Sequence, residues 1–379
     1  MSRHSLHTRL SGFYFFYFAS LGALVPYWSV YLKSLSFNAQ QIGILMAIIM
    51  ATKIVSPLVW GWIADHTGQR MRIVRLGSLL SGLVFLGVFV DSGYYWLCMI
   101  LGVFSFFWNA TLPQFEATTF NHLGERNHHY SSIRLWGSIG FIVAVGLLGV
   151  LFDNYGVQLL PGILLLLFLG IWLMSLMVPE DAAGHQHVEG SPLRDVLRRP
   201  EVQALIIVVF LMQASHGPYY TFYTIYMEEH GYSRAFIGAL WALGVVAEVG
   251  VFVVMNRLIP RFGLRALLLF SLFAASVRWL MVGSFADNVT LMIIAQCFHA
   301  ATFGIYHAAA IHLVHEYFTG ANQGRGQALY SSMSFGAGGA IGALISGLLW
   351  DVSGGSVVFT FAAVFSLLAF VIAWFRLKT

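Results

Sequence analysis

Five charged side chains and three histidines stand in this sequence where water should be scarce. Lys53, Glu116, Arg134, Glu248 and Arg278, with His216, His299 and His307, lie inside apolar runs long enough to cross a bilayer. A charge at mid-membrane costs at least about 2.5–3.5 kcal/mol on insertion scales, so such residues normally border a hydrated interior and carry function. The chemistry open to them is narrow. Arginine offers a planar fork that matches a carboxylate. A carboxylate or an imidazole in such a place can carry a proton. Arg134 follows Glu116 by 18 residues, and Phe141 stands two turns beyond Arg134 on the same helical face. Glu248 has no counter-ion next to it in sequence, His307 lies about two turns beyond His299, and Lys53 sits alone in its run. Each has a plainer reading: a snorkelling Arg134, a packed Phe141, or ion pairs joining Glu248 to Arg278 or Lys53.

The elements that position these groups are apolar helices. A helix needs about 20 apolar residues to cross the hydrocarbon core. A window of that length predicts twelve spans: 10–32, 41–64, 73–90, 94–118, 130–152, 158–178, 203–227, 236–256, 265–285, 289–315, 327–350 and 355–375. The runs are continuous rather than alternating, which excludes a barrel. Composition agrees: 58% of the 379 residues are hydrophobic and 9% charged, against about 25% charged in a soluble domain. The fold class is therefore an all-α membrane protein.

Of the 20 Lys and Arg, 15 fall on the termini and even-numbered loops or, for Arg75 and Arg265, at the adjoining span ends, and two, Lys33 and Arg234, on the odd-numbered loops. That bias puts both termini in the cytoplasm. No cleavable signal is expected at the polar start. Cys98 and Cys297 stand in apolar runs and read as buried thiols. The polar stretch 179–202, with His185 and His187, reads as a solvated cytoplasmic linker. It divides the chain into six-helix bundles at 1–178 and 203–379. A repeat supports the division: Gly68 and Arg70 recur as Gly263 and Arg265 at an offset of 195, and Leu135–Phe141 is echoed by Leu329–Phe335 at 194. Parallel repeats with a site at their interface are a transporter plan.

Helix seven opens QASHGPYYTFY, with Gly217-Pro218 in mid-span, a place for a bend. Tyr219, Tyr220 and Tyr223, with Tyr14, Tyr17, Tyr27 and Trp28 of helix one, are candidates to line an aromatic cavity, and Tyr226 to anchor at the interface. No nucleotide loop, metal motif or nucleophile constellation appears, so no enzyme and no cofactor are expected. The scattered basic residues do not suggest nucleic acid.

GWIADHTGQR (61–70) resembles the G-x-L-A-D-x-x-G-x-R loop signature of the major facilitator superfamily, in the place where that family has it. Within the superfamily the chain is similar to the lactose-permease-like branch, and most to the phenylpropionate permeases. The stretches that carry this are YWSVYLKSL (27–35), IRLWGSIGF (133–141), residues 213–249, SVRWLMVG (276–283) and FHAATFGIYHAAAIHLVHEY (298–317).

The resemblance implies the twelve-helix major facilitator fold and symport of a small molecule with protons by a monomer in the bacterial inner membrane. The expected substrate is a small aromatic carboxylate such as 3-phenylpropionate, with a neutral sugar or nucleoside as the alternative. It implies that Glu116 and Arg134 bind substrate. Phe141 replaces a sugar-stacking tryptophan, and Lys53, Tyr219 and Tyr223 are further candidates for contact. Arg278 and His299 match a proton-coupling network. Thr302 stands where that network has a glutamate, and Glu248 lies about a turn from the family's helix-eight position. His307 completes the proton-coupling candidates. Gly61, Asp65, Gly68 and Arg70 are expected to act as a conformational latch.

Overall fold

A computed structural model describes residues 3–124, 129–180 and 193–377. The middle of the expected linker, with His185 and His187, and Lys378 lie outside the described residues. Eleven helices among them are long and apolar enough to cross a membrane: α1 (Arg3–Ser34), α2 (Ala39–Thr67), α3 (Arg70–Phe89), α4 (Tyr94–Leu123), α5 (Tyr130–Tyr155), α6 (Val157–Met177), α7 (Pro200–Glu229), α8 (Arg234–Phe262), α9 (Leu264–Ser284), α10 (Val289–Tyr317) and a last helix, Gln323–Arg376. Gly354 leaves helical geometry at φ 79° and splits the last into α11 (323–353) and α12 (355–376). The twelve expected spans are therefore present. Large apolar side chains cover the outside, Val352, Val253 and Leu166 among them, as a hydrocarbon solvent allows. Cys297 is exposed on that outside, contrary to the buried thiol expected. An apolar surface in lipid looks like a core from sequence alone.

The chain forms two compact units. Unit 1 comprises Met1–Phe37, Thr52–His185 and Ser233–Ala242; unit 2 comprises Asn38–Ala51, Gln186–Tyr232 and Leu243–Thr379. Helices α2 and α8 each begin in one unit and end in the other.

Small residues explain the packing inside each unit, since glycine lets helix backbones meet. In unit 1 a Cβ on Gly22 of α1 would lie 2.7 Å from the Phe141 carbonyl oxygen, and one on Gly140 of α5 would strike the Phe15 carbonyl. In unit 2 Gly217 of α7 presses on Gly342 of α11 in the same way. Gly22 and Gly217 are 195 residues apart.

The start of α8 packs on α5 in unit 1, and the start of α2 packs on α11 in unit 2. Gly238 abuts Val145 and Gly149 abuts Arg234; Gly43 abuts Ala343 and Gly347. The Asp153 carboxylate accepts from Arg234 N at 2.8 Å and Ala235 N at 2.9 Å, closing the open amides of α8. The Asp351 carboxylate accepts from Ala39 N at 3.2 Å and does the same for α2. Gly43 and Gly238 differ by 195 positions, whereas Gly149/Gly347 and Asp153/Asp351 differ by 198. The sequence echo at 194 is thus about one turn out of register. A one-turn slip keeps the same face of an apolar helix, so pattern alone does not detect it.

Candidate functional site

The loop signature forms a small ionic corner. Gly68 and Gly263 end α2 and α8 with φ 67° and 76°, a left-handed geometry that suits glycine. Between α2 and α3, Arg70 Nη2 donates to Asp65 Oδ1 at 2.8 Å. The opening amides of α3, Met71 N and Arg72 N, donate to the Glu180 carboxylate at 2.8 and 3.2 Å. Sequence reading left Glu180 in the linker, but α3 has no side-chain cap of its own, and that was the available signal. A Cβ on Gly61 would sit 3.6 Å from Gln114 Nε2, so this glycine lies beside α4.

Glu116 and Arg134 come together in unit 1. Arg134 Nε lies 4.0 Å from Glu116 Oε1, close enough for an ion pair and too far for a direct hydrogen bond. The Tyr130 hydroxyl donates to Glu116 at 3.3 Å. The guanidinium carbon stands 3.8 Å from the Phe18 ring centroid and 5.8 Å from that of Tyr14. Arg134 therefore faces α1 and α4 rather than lipid alone. About a third of each charged side chain is exposed (31% and 32%), so the planar fork stays reachable. Phe141 makes no ring contact among the described residues, and its backbone lies against Gly22.

The aromatic residues of α1 behave differently from expectation. Tyr14, Tyr27 and Trp28 are fully buried. Tyr14 donates to Thr119 Oγ1 at 3.2 Å, Tyr27 donates to the Val145 carbonyl at 2.7 Å, and Tyr17 stacks on Trp108. They glue α1 to its neighbours instead of lining a cavity. Buried hydroxyls need partners, and the adjacent helices supply them. Tyr226 is likewise buried and donates to the Gly283 carbonyl at 3.1 Å, so it is no interfacial anchor.

Unit 2 holds a second cluster, built on α7, α8, α9 and α10. Arg278 is fully buried. Its Nη1 contacts His299 Nδ1 at 3.1 Å and donates to Thr302 Oγ1 at 2.9 Å, and its Nη2 donates to Gln296 Oε1 at 3.2 Å. The Tyr219 hydroxyl donates to the same Gln296 oxygen at 3.0 Å, with its ring 4.5 Å from the guanidinium carbon. On the far side of the imidazole, His299 Nε2 faces Glu248 Oε2 at 3.4 Å. Glu248 thus faces His299, which stands between its carboxylate and the Arg278 guanidinium. Thr302, noted as a gap in the resemblance, is a ligand of Arg278. Gln296 was missed: an uncharged amide gives no signal in an apolar run.

The α-helix of α7 stops at Ser215 and resumes at Gly217, as the Gly-Pro pair predicts. Tyr219 and Tyr223 follow this break and are buried. His216 uses Nδ1 on the Met212 carbonyl at 2.8 Å, a packing role. In α10, residues Ala300–Ile305 form a π-helical turn. The rings of His299, Phe303 and His307 stack in one column, 5.3 and 5.9 Å apart. His307 Nδ1 meets the Tyr330 hydroxyl at 2.9 Å. Lys53 joins neither cluster. Its neighbour Thr52 donates to Ser105 Oγ at 2.9 Å and accepts from Asn109 Nδ2 at 2.9 Å.

The chain is similar to known transporters along its length. The model of the MFS_1 like family matches residues 7–361. A protein of Escherichia coli (strain K12) named "Probable 3-phenylpropionic acid transporter" is 30% identical over 359 residues, covering 93% of each chain. The maltose permease of Geobacillus stearothermophilus is 24% identical, covering 97% of this chain and 94% of its own. Among solved structures, a mutant of the nucleoside transporter NupG superposes with a TM-score of 0.88 at 15% identity, covering 98% of this chain and all of that one. An all-helical chain with twelve apolar spans, a loop signature held by Asp65 and Arg70, and a family match from residue 7 to residue 361 belongs to the MFS_1 like family of the major facilitator superfamily, and is a multi-pass membrane transporter.

Proposed function

We propose that this transporter is a proton symporter that imports a small aromatic carboxylate such as 3-phenylpropionate. It works in the bacterial inner membrane as a monomer with both termini in the cytoplasm. Its halves, 1–178 and 203–379, are joined by the cytoplasmic linker 179–202. The observation that carries the substrate is the full-length similarity, at 30% identity, to a protein named for 3-phenylpropionic acid transport.

Arg134, Glu116, Phe141 and Lys53 contact substrate in the first half, and Tyr219 and Tyr223 in the second. An unstacked Phe141 suits a phenyl ring. Glu248, Arg278, His299 and His307 couple the proton. Within that set Glu248 accepts it, because His299 Nδ1 is already turned to a guanidinium, which can only donate. His299 and Arg278 hold Glu248 in place, and His307 serves as a relay. Gly61, Asp65, Gly68 and Arg70 form the latch that steadies one state of the cycle. One proton per monoanion makes the import electroneutral.

The test is uptake of radiolabelled 3-phenylpropionate into proteoliposomes under an imposed pH gradient, against lactose and uridine. Accumulation of the acid alone, abolished when the gradient is collapsed, is the expected result. Gradient-independent accumulation defeats proton coupling, and uptake of lactose or uridine in its place moves the chain to the neutral-substrate alternative.

A further inference from the structure

Lys53 and Glu248 are separated by 195 residues, the offset that relates Gly22 to Gly217, Gly43 to Gly238 and Gly68 to Gly263. Each is the fifteenth residue of a 29-residue helix, α2 or α8. The duplicated unit therefore carries a charge at the midpoint of the same helix in both copies, with opposite sign. Their surroundings differ. Glu248 faces His299, whereas Lys53 makes no hydrogen bond and no ion pair among the described residues. Thr52, the polar neighbour, is committed to Ser105 and Asn109 of α4.

Charge balance sharpens the contrast. The deep charges of unit 1 are Lys53, Glu116 and Arg134, and those of unit 2 are Glu248 and Arg278. Glu116 offsets Arg134, and Glu248 offsets Arg278 through His299. Lys53 is left as one uncompensated positive charge. An unpaired ammonium at bilayer depth is kept at a cost, and a single carboxylate removes it. A carboxylate arriving at Arg134 would instead meet Glu116, 4.0 Å from the guanidinium.

We infer that Lys53 supplies the counter-charge for the substrate's carboxylate and so sets the preference for a monoanion, an assignment that rests on the carboxylate reading above. Arg134 stays with Glu116 and recognises the rest of the ligand. The mirrored positions then divide the labour of symport: one copy of the repeat holds the anion, and the other takes the proton.

The experiment compares wild type, Lys53→Met and Lys53→Arg in full-length protein reconstituted in liposomes. Counterflow of labelled 3-phenylpropionate is competed with the unlabelled acid and with its neutral analogue, 3-phenylpropanamide. Thermal denaturation of the ligand-free protein is measured in parallel. Loss of one partner from a desolvated charge pair predicts acid affinity about 30-fold or more weaker in Lys53→Met. Amide competition should be unchanged, Lys53→Arg should recover most of the loss, and the unfolding midpoint should be level or higher. Unchanged acid affinity in Lys53→Met overturns the assignment. So does an equal loss for acid and amide, or a fall in the midpoint, either of which marks Lys53 as structural. Wild type that takes up no monocarboxylate overturns the carboxylate reading itself, and this inference with it.

Discussion

Glu248 and His299 meet through one nitrogen, Nε2, at 3.4 Å, while the other, Nδ1, faces Arg278 at 3.1 Å. A guanidinium offers only hydrogens, so Nδ1 must accept. The neutral imidazole then carries its hydrogen on Nε2, aimed at the carboxylate. A second proton on this ring would set two donors face to face. In the proposed proton coupling the accepting atom is then a carboxylate oxygen, and the histidine its positioning residue.

Replacing Glu248 with Gln keeps an oxygen for Nε2–H and removes the group that gains and loses a proton. Counterflow of 3-phenylpropionate should persist in Glu248→Gln, while accumulation driven by a pH gradient falls to the equilibrium level. Both are read from the same proteoliposomes, and gradient-driven accumulation at the wild-type level would remove Glu248 from the coupling step.

Arg134→Lys keeps a positive charge near Glu116 and loses the flat fork over Phe18. Hydrogen bonds to charged groups are worth about 1.5–3 kcal/mol, so affinity should drop about 10- to 100-fold. The acid and the amide should suffer alike, unlike the acid-selective loss expected at Lys53. Competition binding on protein that elutes as wild type from a sizing column decides it. Unchanged affinity would place the fork outside the site.

Asp153→Ala and Asp351→Ala each uncover amides that begin a membrane helix. Losing such a cap costs about 1 kcal/mol, equivalent to about 1 °C in the unfolding midpoint for a chain of this length. The aspartate-to-asparagine variants keep an acceptor oxygen and should fall between. A midpoint unmoved in both alanine variants would show that water replaces the carboxylates without loss.

Two glycines of α5 give an internal control. A Cβ on Gly140 strikes the Phe15 carbonyl, whereas nothing lies within 4 Å of one on Gly146. Gly140→Ala should destabilise by about 1–3 kcal/mol through overpacking, and Gly146→Ala should be neutral. The yield of monodisperse protein and its unfolding midpoint would separate the two. Equal behaviour would mean that the α1–α5 seam yields easily.

The spans were legible because hydrocarbon demands about 20 apolar residues in a row, and no other solvent does. Glu116 and Arg134 were each legible because charge in such a run is conspicuous, and the resemblance to the lactose-permease-like branch joined them. Tyr14 and Tyr27 were misread because a tyrosine beside a cavity and a tyrosine bonded to the next helix have the same spelling. Gln296 and Glu180 escaped for complementary reasons. One is uncharged inside an apolar run, and the other lies in a polar stretch where a carboxylate draws no notice. The partner of Glu248 could not be chosen from sequence, because that choice depends on which faces of α8 and α10 meet.

The π-helical turn of α10 has a consequence for aligning related chains. His299 and His307 are eight positions apart, which in an unbroken α-helix leaves them about 80° out of line. One surplus residue in the wide turn absorbs most of that angle, and the three-ring column follows. A relative that lacks the surplus residue will align with a single-position gap near Ala300–Ile305. Closing that gap by eye would match His307 to a residue pointing elsewhere. Deleting Ala301 from this chain recreates the gap, and because the wide turn then closes to a regular one, His307 should stay in line with His299 and against Tyr330.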